Sequence, residues 1–280
     1  DRELPFSIAD RSPDAESPLV NGFFSLLALP DSRYAADQIF ALLELAAIQR
    51  RLAFEARDRP LLQRWLRETG VRWGIDQDSR AAAGLPAIRE HTWRAGLDRL
   101  LLGYALPGDQ GQCFADLLPY EAVEGAETQL LGRLHSFTEA TFGLATTLRQ
   151  PRPIEQWLVT LNAVLEQFFA PDEVEELEVQ AIRSALQHLA QSAMQASFAL
   201  ALSRDVITAC LRRFLENTAW SSRFLSGGIT LCALVPMRSI PFEVVCLLGM
   251  DYAHFPRQQR ALSFDRMAEA GRPGDRSRRD

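Results

Sequence analysis

The stretch Ile229–Met250, ITLCALVPMRSIPFEVVCLLGM, carries two apolar runs on either side of a short insert, PMRSIP. Continuous apolar runs of this length, bounded by turn formers, read as strands buried on both faces, as parallel strands are. The insert holds two prolines and one arginine. A third strand signal, LPFSIA (4–9), lies near the other end of the chain. Nearly everything between reads as helix. The pattern predicts an α/β fold in which the two chain ends form a small parallel sheet and a large all-α insertion separates them.

The helical reading rests on apolar spacing and on capping residues. Ser17-Pro18 offers an N-cap and a first-turn proline for PLVNGFFSLLAL (18–29). QIFALLELAAI (38–48) reads as a second helix. Asp58 and Pro60 start PLLQRWLRET, and Gly70 ends it. The segment VRWGIDQDSRAAAGLPAI (71–88) is rich in turn formers. Thr92 caps TWRAGLDRLLLGYAL, where Trp93, Leu97, Leu100, Leu101 and Tyr104 fall on one helical face. Residues 105–127 lack a steady period and read as a long irregular connection. Helices resume at 129–148 and 154–169. Another opens with Pro171 as its first residue and runs through Val174, Leu177, Ala181, Ile182, Ala185, Leu186 and Leu189. Ser203 caps the last, where Val206, Ile207, Cys210, Leu211, Phe214 and Leu215 make an apolar stripe.

At 280 residues and 47% apolar content the chain has material for a sizeable core. It contains no run of 18 apolar residues, so no membrane span is expected. It begins DRELPF without a Met or a signal peptide and stops at RSRRD, which reads as a segment of a longer protein. The net charge of −6 argues against a nucleic-acid grip spread over the whole surface. All 30 basic residues are arginine, a bias that a GC-rich genome explains. The 30 residues from Asp251 onward hold seven arginines against five acids, whereas DEVEELE (172–178) is strongly acidic. That acidic run suits a helix N-terminus better than a catalytic pair. Of the four cysteines, Cys210, Cys232 and Cys246 sit in apolar patterns and read as small buried hydrophobes of a reducing cytoplasm.

Motifs for catalysis are missing. There is no Walker A loop, GxGxxG, HExxH or GxSxG. His91, His135, His188 and His254 lie far apart, so no metal site is expected. Trp73, in RWGID, and Trp93 suit either base stacking or a core, and the core is the commoner place for tryptophan. The loop after the strand ending at Gly249 carries Arg257. Ligands of open α/β sheets sit beyond the carboxyl ends of the strands, where such a loop lies.

These stretches resemble a known family. ITLCALVPMRSIPFEVVCLLGM followed by HFPRQ, GDRSRRD, the opening LPFSIADRS…PLVNGFFSLLAL, and RWGID…TWRAGLDRLLLGYAL are similar to the RecC family. Its members are the gamma subunits of bacterial RecBCD helicase–nucleases (exodeoxyribonuclease V). The resemblance implies an inactive relative of superfamily 1 helicases such as RecB and UvrD. It implies a discontinuous 2A-like α/β domain at residues 1–50 and 225–280, and an inserted helical 2B-like domain at 51–224. In working motors, motif V is a strand–loop–strand of the form L-x-T-x-H-x-x-K-G-L-E-F. Laid on this sequence, Leu231 takes the leucine, Ala233 the threonine and Val235 the histidine. Arg238 takes the lysine, Ser239 the glycine and Pro241 the glutamate, while Ile240, Phe242 and Gly249 keep the packing positions. Ala233 has no hydroxyl, Val235 no imidazole, and Pro241 neither a carboxylate nor a backbone N–H. Arg238 keeps a charge that pairs with phosphate.

The resemblance therefore implies a non-catalytic segment with no cofactor of its own. It implies partnership with RecB and RecD, contact with single- and double-stranded DNA through Arg238, Ser239 and Arg257, and a cytoplasmic setting. In the family, RecC scaffolds RecB, splits and guides the unwound strands, and reads the Chi sequence, in service of double-strand break repair by homologous recombination. Two alternatives are the second motor domain of an active superfamily 1 DNA helicase and a helical subunit-interaction module.

Overall fold

The computed structural model describes residues 6–8, 17–106, 113–125, 127–217, 229–232 and 243–250. Two compact units divide at Cys232/Ala233. In the first, ten α-helices are found among the described residues. They are α1 (Pro18–Ala28), α2 (Ala36–Leu43), α3 (Ala46–Leu52), α4 (Arg59–Glu68), α5 (Gln77–Ala82), α6 (Trp93–Ala105), α7 (Glu127–Leu148), α8 (Ile154–Phe168), α9 (Glu173–Gln195) and α10 (Arg204–Asn217).

The helix α1 sits at the centre of this unit. Ser17 Oγ accepts from the Val20 N–H at 3.0 Å, and Pro18 occupies the first turn, where its missing N–H costs nothing. Leu19, Val20, Phe23, Phe24, Leu26 and Leu27 are all buried. That is too wide an apolar surface for a helix with one wet face, and α7, α9 and α10 all pack against it. The same core takes in Trp65 of α4, Trp93 of α6 and Trp157 of α8, each fully buried. Residues 19–48 and 130–215 thus share one continuous core.

Side chains outside the core fasten the helices to each other. Arg50 at the end of α3 donates to the Ala170 carbonyl at 2.8 Å and pairs with Glu175 in the first turn of α9. Arg152 lies over the Trp157 ring at 4.9 Å, and its backbone bridges to Leu202, whose carbonyl accepts from the Trp157 indole at 2.9 Å. The irregular segment 113–125 is held against α6. Arg99 Nε donates to the Leu118 carbonyl at 2.8 Å, and a Cβ added at Gly103 would lie 1.8 Å from the Tyr120 carbonyl oxygen. Only glycine permits that approach.

The α/β fold class is corrected: the described residues are overwhelmingly helical. Strand structure among them is limited to β1 (Phe6–Ile8) and β2 (Ile229–Leu231), three residues each, paired parallel from Phe6–Ile229 to Ile8–Leu231. Three ladder pairs make no sheet layer for helices to pack on. In the second unit, the predicted strand at 242–249 is not seen over its described residues, 243–249. Residues 243–250 are irregular and exposed. The physical reason is that a continuous apolar run requires ladder partners and cover on both faces, and residues 243–250 have neither among the described residues.

Smaller corrections follow from local chemistry. The single helix expected at 38–48 is two, because the chain breaks at Glu44-Leu45. Asp172 rather than Pro171 closes the start of α9, accepting from the Val174 and Glu175 N–H groups, both at 3.0 Å. Tyr104, Val174 and Leu177 are more than half exposed, so the apolar stripes of α6 and α9 are narrower than their spacing suggested. The cysteine reading is also corrected: Cys232 and Cys246 are exposed and Cys210 is half-buried. No described helix is long and apolar enough to cross a membrane.

Candidate functional site

Residues 71–76, between α4 and α5, form a rail held from both sides by backbone hydrogen bonds. On one side, Ala36 N–H donates to the Arg72 carbonyl at 2.7 Å, and Gly74 N–H donates to the Arg33 carbonyl at 2.8 Å. On the other, the Arg72 and Trp73 N–H groups share the His91 carbonyl at 3.0 and 3.2 Å. Trp93 N–H then reaches the Gly74 carbonyl at 3.0 Å, and Arg94 N–H reaches the Ile75 carbonyl at 2.9 Å. The rail is tied to the core through Trp93, whose indole N–H donates to the Tyr34 carbonyl at 2.9 Å. Tyr34 and Trp93 both meet the edge of Phe142, at 6.0 and 6.4 Å between ring centres.

One charged side chain fixes the shape of this region. Arg80, on α5, is buried, with its guanidinium carbon 3.8 Å from the centre of the Trp73 ring. It donates to the carbonyls of Trp73 (2.8 Å), Ile88 (2.8 Å) and Glu90 (3.0 Å). Burial lowers its affinity for the proton from the usual arginine range, an effect opposed by the charge of Glu90. Arginine stays charged even so; its two terminal nitrogens meet carbonyl oxygens and its plane meets the indole face, while the buried Nε–H is left without a hydrogen-bond partner among the described residues. Gly74 is required beneath it. Its φ is +80°, and a Cβ there would stand 2.9 Å from Arg80 Nε.

The outer surface of the rail has a different character. Trp73 is partly exposed, and Arg33, Arg72 and His91 are exposed. His91 Nδ1 is 2.8 Å from the Gly70 carbonyl. Neither Arg33 nor Arg72 has an ion-pair or hydrogen-bond partner for its side chain among the described residues. Most other described arginines are answered, with Arg67 a further one that has no side-chain partner among the described residues. A cleft of about 560 Å³ beside α4 is lined by Arg57, Arg64 and Arg67, but Arg57 pairs with Glu55 at 2.9 Å and Arg64 faces Glu127 at 4.0 Å. Arg89 pairs with Asp98 at 2.9 Å and Arg94 with Glu139 at 2.6 Å.

The sequence-derived positions Ala233, Val235, Arg238, Ser239, Pro241 and Arg257 lie outside the described residues. Among the residues singled out by sequence, Trp93 is core, whereas Trp73 stands at the surface on its arginine support. Arg33, Arg72 and Arg80 were not singled out. Arg80 left no local signal, since its partners are carbonyls and a ring rather than side-chain charges at helical spacing. The acidic run 172–178 caps α9 and pairs with Arg50, in keeping with a helix start. No cluster of metal-ligating side chains occurs among the described residues.

The helical body coincides with a known domain. A sequence model of the RecBCD enzyme subunit RecC fourth domain matches residues 16–219. The chain belongs to the RecC family. It is 39% identical, over its whole length, to the RecBCD enzyme subunit RecC of Escherichia coli K12, and covers 25% of that protein. Identity to the RecC subunit of Haemophilus influenzae is 35% over 99% of the chain and 24% of that protein. Identity to that of Mycolicibacterium smegmatis is 31% over 98% of the chain and 25% of that protein. The chain thus spans about a quarter of the length of these relatives. The similarity to RecC proteins runs beyond the fourth-domain match, through the 229–250 stretch and onward.

Proposed function

We propose that this chain is a non-catalytic, helicase-like part of a RecC subunit that scaffolds a RecBCD-type helicase–nuclease and guides unwound DNA strands. The observation that carries this reading is similarity to RecC subunits over the whole chain, at 39% and 35% identity. On this reading the partners are RecB- and RecD-type subunits and DNA, and the process is double-strand break repair by homologous recombination, with Chi reading as a role of the whole subunit. The motor-type positions support a passive role. Ala233, Val235 and Pro241 offer no hydroxyl, imidazole or carboxylate, while Arg238 and Ser239 remain as phosphate contacts and Arg257 as a third.

Assembly tests the scaffold role. The full-length protein is mixed with RecB- and RecD-type subunits, and sedimentation and DNA unwinding are measured. A stable complex that unwinds duplex DNA is expected. Failure to associate under low-salt conditions contradicts the reading.

A second reading, a helical subunit-interaction module, is favoured by one observation. Met194, Phe198, Leu200 and Val206 are exposed within one short stretch from the end of α9 into α10, at 72, 38, 69 and 44%. A contiguous exposed apolar patch marks an interaction surface. Replacing Met194, Phe198 and Leu200 together by serine is expected to weaken assembly and leave the helical content unchanged.

A further inference from the structure

We propose that the Trp73 rail is a single-stranded DNA contact, in which the free side of the indole stacks on a base and Arg33 and Arg72 hold the flanking phosphates. It rests on the reading of the chain as part of a DNA-handling subunit, and names a surface distinct from Arg238, Ser239 and Arg257.

Three observations converge on it. First, Trp73 is held rigid. Its own carbonyl and its ring are both engaged by the buried Arg80, and its N–H is bonded to His91. A platform fixed beforehand loses little freedom when a base stacks on it. Second, Arg80 is 4% exposed, so the indole face it covers is closed to solvent and the accessible part of Trp73 lies away from it. The cation beneath also draws on the ring from the side that no base can reach. Third, Arg72 precedes Trp73 in the chain and Arg33 lies on a segment joined to the rail by two backbone hydrogen bonds, at 2.7 and 2.8 Å; both side chains are exposed, and neither guanidinium has a partner among the described residues. Most other arginines described here meet a carboxylate, a carbonyl or a ring, so two unanswered cations on the segments that carry one partly exposed tryptophan stand apart.

Stacking plus phosphate contact is how single strands are held without regard to sequence. A duplex buries its base faces in the stack and does not offer one to Trp73. The ligand class is therefore unpaired DNA. The guanidinium groups suit it because they pair with phosphate oxygens in a fork geometry. The charge of exposed Glu90, beside His91 in the chain, acts on Arg80.

The test uses the full-length protein in its assembled complex and an oligo-dT carrying 5-iodouracil, with ultraviolet cross-linking mapped by mass spectrometry. Cross-links are expected on the peptide that contains Trp73. Trp73→Phe retains a ring and keeps most of the yield, while Trp73→Ala lowers it by at least about fivefold. The double variant Arg33→Ala, Arg72→Ala leaves the rail intact, since both side chains are exposed. It is expected to lower the yield and flatten its salt dependence by about 1.4 in log–log slope, two phosphate contacts' worth. Amide exchange across residues 73–90 checks that the variants stay folded. Labelling of other peptides with none at Trp73 overturns this site and leaves the subunit's role standing. Yield at Trp73 unchanged in the double variant also overturns it. Failure of assembly, by contrast, strikes the role and not this surface.

Discussion

The start of α6 and the segment 243–250 are both rich in apolar side chains, and they end in opposite environments. Trp93, Leu97 and Leu100 are no more than 2% exposed, whereas Val244 and Leu248 are each 80% exposed. Apolarity alone does not separate them. A helix bonds its own backbone and asks neighbours to cover only one face. The periodic placement of Trp93, Leu97 and Leu100 meets that demand within the chain. A continuous apolar run needs partners for its N–H and C=O groups and cover for both faces. The helical body supplies what its helices need, and residues 243–250 gain no such cover here.

The largest effect is expected from paired truncation. Trp93→Ala removes a fully buried indole bonded to the Tyr34 carbonyl, and a loss of about 3–5 kcal/mol is expected by denaturant titration. Leu248→Ala in the same background is expected to change stability by less than about 0.5 kcal/mol. Similar losses at both positions would erase the distinction.

A second variant probes packing rather than burial. Gly103→Ala places a Cβ 1.8 Å from the Tyr120 carbonyl oxygen. Overpacking at a backbone contact is expected to cost about 1–3 kcal/mol, despite the better helix propensity of alanine. Detachment of residues 113–125, read as faster amide exchange there, is the expected response.

Arg80→Met sharpens the account of the rail. It keeps much of the side-chain volume and removes the donors to three carbonyls. A loss of about 1–3 kcal/mol is expected, with exchange rising across residues 73–90 and little change in α7 or α8.

The smallest effect is expected at Asp172. The Glu175 N–H holds its carboxyl below the usual carboxylate range, with the Val174 N–H and Arg50 adding to this. A folded-state pKa lower than the unfolded one gives stability that is fully present above the unfolded value and lost as pH falls through the folded value. Asp172→Ala is therefore expected to lower Tm slightly near neutral pH, and the difference from the parent is expected to shrink as the carboxyl protonates in acid. A difference that grows in acid would contradict this cap.

Much of the helical body was legible because its signals are local. Ser17-Pro18 and Thr92 mark helix starts with side-chain acceptors, and both bond as their positions imply. The spacing of Ile207, Leu211 and Leu215 is that of a buried helical face, and all three are buried. What failed depends on partners that the local sequence does not name. Glu44-Leu45 breaks a helix without glycine or proline. Val174 and Leu177 keep the spacing of a buried face, but both are more than half exposed. The run at 242–249 reads as a strand by composition, yet a strand is defined by what lies beside it. Arg80 is the clearest case: three carbonyls and a ring, brought together by loops, give one arginine a structural role that no motif announces. Of the candidate site, Trp73 was visible as one of two tryptophans open to either role. Its support by Arg80 and its unpaired neighbours Arg33 and Arg72 required the fold.

In the function proposed above, this RecC-family chain handles DNA without acting as a motor. The most direct test is ATP hydrolysis by the full-length protein alone, with single-stranded DNA present and contaminating helicase removed. No turnover above background is expected, and none added by the DNA. Hydrolysis that persists through purification and falls when Arg238 is changed to Ala would contradict it.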